Sequence, residues 1–250
     1  MMSLQPEVQV VQVEFGPSDQ AASLNREIEP GGRLLRAALD IRWDEPDPLS
    51  ALARIERRLV EFSPTFRSHR CRGPLAYHVF ARQRDDRTAD ASAAGPAVPE
   101  SPTQAFDACL ALAHLIEHAV IDFESSITEE TRISGVTGAR RKPPGRFDVM
   151  VECHENSIGR FCLALAVTTL TAAADARPPG RPERDALAAV RLAYRHPGRW
   201  WTPGAFARAL GWSYPQALRA LSSLRDLGYL TEFPHTVNIS GLPQYRVSAC

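Results

Sequence analysis

His114-Leu115-Ile116-Glu117-His118 sets two imidazoles four residues apart with a carboxylate between them. On a helix, residues four apart stand one turn above each other, so His114 and His118 present their rings to one point, the spacing that two ligands of a single Zn²⁺ require. Glu117 lies three residues from His114 and one from His118, close to that point but not stacked on it. A carboxylate there can take a proton from a water polarised by a metal and hand it to a leaving amine, which makes Glu117 the candidate catalytic base. The competing reading is a pair of histidines satisfied by hydrogen bonds at the edge of a core.

A site of this kind needs a third protein ligand from another element. In Phe147–Cys153 the residues Phe147, Val149, Val151 and Cys153 share one face of a strand, and Glu152 shares the other with Met150. An acid on a half-buried strand needs a partner, so Glu152 is the expected third ligand. His154 and Glu155 are the alternatives, although Glu155 is also explained as an acid facing the dipole of the helix that follows.

The elements that position these residues follow from periodicity. From Gln104 to Ile127 the apolar residues Phe106, Cys109, Leu110, Leu112, Ile116, Val120 and Phe123 keep helical spacing, with Thr103 as a cap. Val8–Phe15 and Leu35–Trp43 read as strands, Asp47–Phe62 as an amphipathic helix ended by Ser63-Pro64, and Leu75–Arg82 as a further strand. Residues 83–104 lack periodicity and hold three prolines, the composition of a surface loop. The polar segment Thr128–Arg146 leads to the strand at 147–153, and a helix from Asn156 to Ala174 follows. Strands and helices in this order predict an α+β domain over residues 1–175. The Pro-, Gly- and Arg-rich segment 176–183 reads as a linker to a second domain over 184–250.

That second domain opens with a helix at Asp185–His196. Thr202-Pro203 then starts a short helix, Gly211-Trp212-Ser213 makes a turn, Tyr214–Asp226 forms another helix, and two strands close the chain around Leu230 and Tyr245. This order resembles the winged helix-turn-helix family, down to the Ala-Leu-Gly-x-Ser turn in TPGAFARALGWSYPQALRALSSLRDLGYL. The resemblance implies that helix 214–226 enters the major groove of double-stranded DNA, with Gln216, Arg219, Ser222, Ser223 and Arg225 as its contacts. Arg195, Arg199, Arg208 and Arg246 are candidate phosphate contacts. Eight arginines against three acids give residues 184–250 a net charge of +5 and leave −5 on the remainder of a chain whose total is zero. Winged helices also dock proteins, so a homodimer is the other partner this module allows.

Residues 1–175 resemble the N-terminal domain of cyanophycin synthetase. The segments that carry the resemblance are ALARIERRLVEFSPTFRSHRCRGP with its His-x-Cys stretch, AHLIEHAVIDFESSI, and FDVMVECHENSIGRF with its strand acid and Gly-Arg helix start. In some members of that family the domain resembles an inverzincin metallopeptidase with an H-x-x-E-H site that cuts an Asp-Arg polymer; in others it only holds the polymer. The resemblance implies a Zn²⁺ cofactor and a peptide or isopeptide substrate containing Asp and Arg. A winged helix stands where that family carries its ATP-grasp and Mur-ligase-like domains, so hydrolysis, not synthesis, is the expectation. The alternative is a transcriptional regulator whose first domain senses or binds a polymer.

Composition fits this picture. Hydrophobic residues at 44% and charged ones at 23% match a globular chain and exclude disordered and collagen-like classes. Five cysteines at 71, 109, 153, 162 and 250 are odd in number and form no C-x-x-C pair, which predicts reduced thiols and a cytoplasmic protein. The longest apolar stretches are interrupted by His114 or by Thr168, Thr169 and Thr171, so no membrane span is expected.

Overall fold

The computed structural model describes residues 6–43, 47–63, 65–66, 104–130, 132–140, 145–175, 180–233 and 243–247. Of these, 54% are helical and 22% lie in strands, an α+β composition. The His-x-Cys stretch at 69–71, the strand expected at Leu75–Arg82, the loop 83–103 and the Thr103 cap lie outside the described residues.

Four strands form one antiparallel sheet in the order β1-β2-β4-β3, where β1 is Glu7–Gly16, β2 Leu34–Arg42, β3 Gly135–Ala139 and β4 Arg146–Glu152. The register pairs Leu35 with Val151 and Ala37 with Val149 across β2 and β4, then Gly135 with Val151 and Thr137 with Val149 across β3 and β4. Because side chains alternate along a strand, Leu35, Ala37 and Leu39 share a face with Val149, Val151, Gly135 and Thr137. Two helices cover that face, α3 (Gln104–Thr128) and α4 (Asn156–Ala174), and α2 (Pro48–Phe62) packs on both of them. Asp47 caps α2 by accepting from the Ser50 amide at 3.2 Å, and Pro48 opens it. The opposite face carries α1 (Asp19–Leu24), capped by Ser18, and a small cluster of Ala21, Ile28, Leu34, Val136 and Met150.

α4 is long and apolar enough to cross a membrane by length and composition, with a mean hydropathy of 1.5 over its window, but 61% of that window is buried. Phe161, Cys162, Ala166 and Leu170 on α4 are inside the core that it shares with the sheet and with α3. Its apolar character is that of a core helix.

The chain continues as α5 (Arg181–Tyr194), α6 (Pro203–Leu210), α7 (Tyr214–Asp226) and the hairpin β5 (Leu230–Phe233) and β6 (Gln244–Val247). The expected linker is shorter than its composition implies: residues 181–183 form the first turn of α5, where Pro182 is tolerated because the missing amide has no helical acceptor there. Gly211 at φ 66 ends α6 in the left-handed region, and Ser213 caps α7 by accepting from the Gln216 amide at 3.4 Å. Trp201 adds a bridge to Tyr245 beside the hairpin.

One apolar cluster runs through both parts of the chain, from Leu35 and Phe147 in the sheet to Trp201, Leu221 and Tyr245. Phe161 of α4 meets the Tyr229 ring at 6.1 Å, and the Arg184 guanidinium lies 6.0 Å over Phe62 of α2. α5 packs on both α3 and α7.

Candidate metal centre

α3 is the helix that its spacing predicts, with Leu112, Ala113, Ile116, Ala119, Val120 and Phe123 fully buried. Glu117 and His118 are buried beside them, and His114 is partly buried. The two imidazole rings stand 4.3 Å apart in an edge-on arrangement, and the donor atoms of His114, Glu117 and His118 all lie within 4.8 Å of one another. A tetrahedral ion with bonds of ~2.0–2.1 Å holds its ligands about 3.4 Å apart, so the group could close on a metal ion with small side-chain movements.

β3 shapes this site. A Cβ on Gly135 would stand 2.8 Å from Glu117 Oε1 and 3.0 Å from its Cγ, so only glycine lets the carboxylate lie against the strand. Two residues on, on the same face, the Thr137 hydroxyl donates to Glu117 Oε2. His114 Nδ1 approaches that same oxygen at 3.2 Å. A carboxylate hydrogen-bonded to one ring nitrogen fixes the tautomer and turns the other nitrogen outward as a ligand.

The structure does not bring Glu152 to the histidines. Glu152 sits on the sheet face opposite α3, as the alternation of β4 requires, and its two oxygens accept from the amides of Glu29 at 2.9 Å and Ser134 at 2.8 Å. The partner that the half-buried acid needs is backbone, which corrects the expectation of a metal ligand. His154 donates its amide to Glu124 and sets its ring 6.2 Å from that of Tyr194. Glu155 is the N-cap residue of α4. Neither belongs to the His114–Glu117–His118 group.

Gly135 and Thr137 are the site residues that sequence reasoning overlooked. Their signal is the Gly-x-Thr alternation inside a segment too rich in glycine to read as a strand. Glu124 was overlooked as well. Two turns along α3 from Glu117, it is fully buried, and burial pushes its carboxyl up to about 8. Cys153 is pushed up to about 12, first by burial and then by Glu124, so its thiol stays protonated and is neither a nucleophile nor a thiolate ligand. Cys109, Cys153 and Cys162 are all buried.

In α7 the expected groove contacts divide. Gln216 is buried, accepting from Arg181 at 3.0 Å and donating to Asp185 at 2.9 Å, so it ties α7 to α5 and does not reach outward. Arg225 is bound to Asp226 and Glu232, which neutralise it. Arg219 and Ser223 are exposed, Ser222 half-buried, and Arg219 has no ion-pair partner among the described residues. Of the candidate phosphate contacts, Arg195 pairs with Glu129, Arg199 stacks on Trp201 at 4.0 Å, and Arg246 stacks on Trp200 at 4.7 Å. Arg208 is exposed on α6.

No protein-family model matches the chain, and no curated protein matches its sequence.

Proposed function

We propose that this chain is a zinc-dependent hydrolase of peptide or isopeptide bonds, carrying a C-terminal winged helix that binds double-stranded DNA. The observation that carries the catalytic reading is the largely buried His114–Glu117–His118 group, in which two imidazoles, a donor type that zinc favours, converge beside a carboxylate. When bound, Zn²⁺ would polarise the scissile carbonyl and acidify a water. His114 and His118 would hold the ion, and among the described residues no His, Cys, Asp or Glu other than Glu117 joins them. Glu117, held by Thr137 and positioned by the close approach of Gly135, takes the proton and delivers it to the leaving amine. The resemblance of residues 1–175 to the cyanophycin synthetase N-terminal domain supports an Asp- and Arg-containing substrate.

The DNA reading rests on the order α5, α6, α7, β5, β6 and on Arg208 and Arg219, exposed on the two helices that frame the turn. A second reading, a regulator whose first domain binds its ligand without cutting it, is favoured by α5, which joins the site-bearing helix α3 to α7. Hydrolysis separates the two. Zinc-loaded protein incubated with an Asp-Arg isopeptide releases product if the first reading holds, and Glu117→Gln loses that activity by about 10² or more. Zinc binding without turnover of that isopeptide or of a peptide library favours the regulator.

A further inference from the structure

β1 forms one edge of the four-stranded sheet, and among the described residues no strand pairs with its other side. Gln9, Val10, Val11 and Gln12 are exposed in succession, Val10 at 37% and Val11 at 44%, so the middle of that edge is open. An open strand edge is a template for pairing with another chain, and β1 holds none of the lysines or prolines that block such pairing. Its sequence is also a palindrome. Glu7-Val8-Gln9-Val10-Val11-Gln12-Val13-Glu14 reads the same in both directions. Two copies laid antiparallel about a two-fold axis therefore set Val8 opposite Val13, Gln9 opposite Gln12, Val10 opposite Val11 and Glu7 opposite Glu14.

A regular strand could not use this symmetry, because residues 7 and 14 are an odd number apart and the pleat would send them to opposite faces. The bulge at Val11, where the register with β2 slips between Val10 and Gln12, restores the match. Glu7 then pairs with Arg42 and Glu14 with Arg36, so both acids share the outer face with Gln9 and Gln12. Val8 and Val13, paired with Ile41 and Ala37, share the other face and pack against the core. Charges match as well. At each end of the paired segment a row of four strands reads Arg42, Glu7, Glu14 of the second copy and Arg36 of the second copy, which sums to zero.

We propose that β1 is a dimerisation strand that pairs antiparallel with β1 of a second copy of this chain, about a two-fold axis between Val10 and Val11. The contact is isologous and uses the same edge of both copies, so it closes at the dimer. Eight residues at ~3.4 Å each make an edge about 27 Å long, with far fewer residues than the roughly 20–30 per side of a standard interface, and the dimer is accordingly weak. The pairing involves neither the metal group nor the winged helix and stands apart from both readings.

Sedimentation equilibrium of the full chain between ~1 and ~300 μM should show a monomer–dimer equilibrium with Kd on the order of 10 μM. Val11→Lys puts a charge beside the axis, on a residue with no partner in β2, and should raise Kd by about tenfold or more while the circular dichroism spectrum stays that of the parent. The register is read by cross-linking. Gln9→Cys protein mixed with Gln12→Cys protein and oxidised with copper-phenanthroline should form a disulfide between positions 9 and 12 of different copies, identified by mass spectrometry, and neither variant alone should link through its new thiol. Should Val11→Lys fail to fold, that cross-link decides the matter. A parent that stays monomeric at the highest concentration, one that grows past a dimer, a folded Val11→Lys protein that associates as the parent does, or equal cross-linking within each cysteine variant alone overturns the proposal.

Discussion

Glu117 is held by neighbours of three kinds: a hydroxyl donor on Thr137, an imidazole on His114 and the bare backbone of Gly135. Each makes a different prediction. Gly135→Ala puts a methyl where the carboxylate lies, so zinc affinity and hydrolysis should both fall, as metal titration and a peptide assay would show; a variant with unchanged activity would mean that the carboxylate can move without consequence. Glu117→Gln preserves shape and a hydrogen bond to Thr137, and should keep the metal while losing turnover. Loss of zinc in that variant would make Glu117 a ligand instead of a base. Glu152→Gln should lower stability by about 1 kcal/mol, because one of two backbone amides, one exposed and one half-buried, loses its acceptor, while leaving zinc content unchanged. Glu124 sets a pH dependence. Its carboxyl is raised from about 4.5 in the unfolded chain to about 8 in the fold, so the native state is favoured at low pH and loses that advantage as pH rises through 8. The loss is about 4–5 kcal/mol at most. Glu124→Gln removes it, and the variant should therefore melt above the parent at pH 8.5 and close to it at pH 5. Equal melting temperatures at pH 8.5 would show that Glu124 titrates as an ordinary carboxylate.

At the scale of elements, α3 is legible because seven apolar residues keep helical spacing across Gln104–Thr128, and the two histidines fall one turn apart on any such helix. Strand β4 is legible for the same reason at period two. β3 is not, since two glycines in five residues carry no strand preference, and pairing with β4 alone makes Gly135–Ala139 a strand. α1 escapes because six residues are too few to show a period. The misplacement of Glu152 has a related cause: alternation put it on the face away from the apolar residues of β4, which is also the face away from α3, and only the sheet order reveals that the histidines lie on the other side. In the C-terminal part the helices follow their Pro and Ser caps, but periodicity could not show that Gln216 turns toward α5. Arg219 is consequently the one side chain of α7 with both exposure and an unneutralised charge among the expected contacts. Arg219→Ala in the full chain should weaken duplex binding by about 1 kcal/mol or more in a low-salt fluorescence titration, whereas Arg225→Ala should change it little. The reverse order of effects would place another face of the module on the DNA.

Among the described residues one large apolar cluster, separate from the small one beside α1, spans the sheet, the helices α2 to α4 and the α5–α7 module. A continuous core predicts one cooperative unfolding transition despite a two-part sequence, and Phe161→Ala, at the contact with Tyr229, should lower stability by about 3–5 kcal/mol and loosen both parts together. Two separate calorimetric transitions in the parent protein would show that the parts are thermodynamically independent. The central claim, however, concerns one ion. Protein produced without a histidine tag, offered zinc and dialysed, should retain about one Zn²⁺ per chain by elemental analysis, and His118→Ala should retain almost none. A folded parent protein that comes through the same procedure without zinc would contradict the account, and His114, Glu117 and His118 would then be a hydrogen-bonded group at the edge of the core.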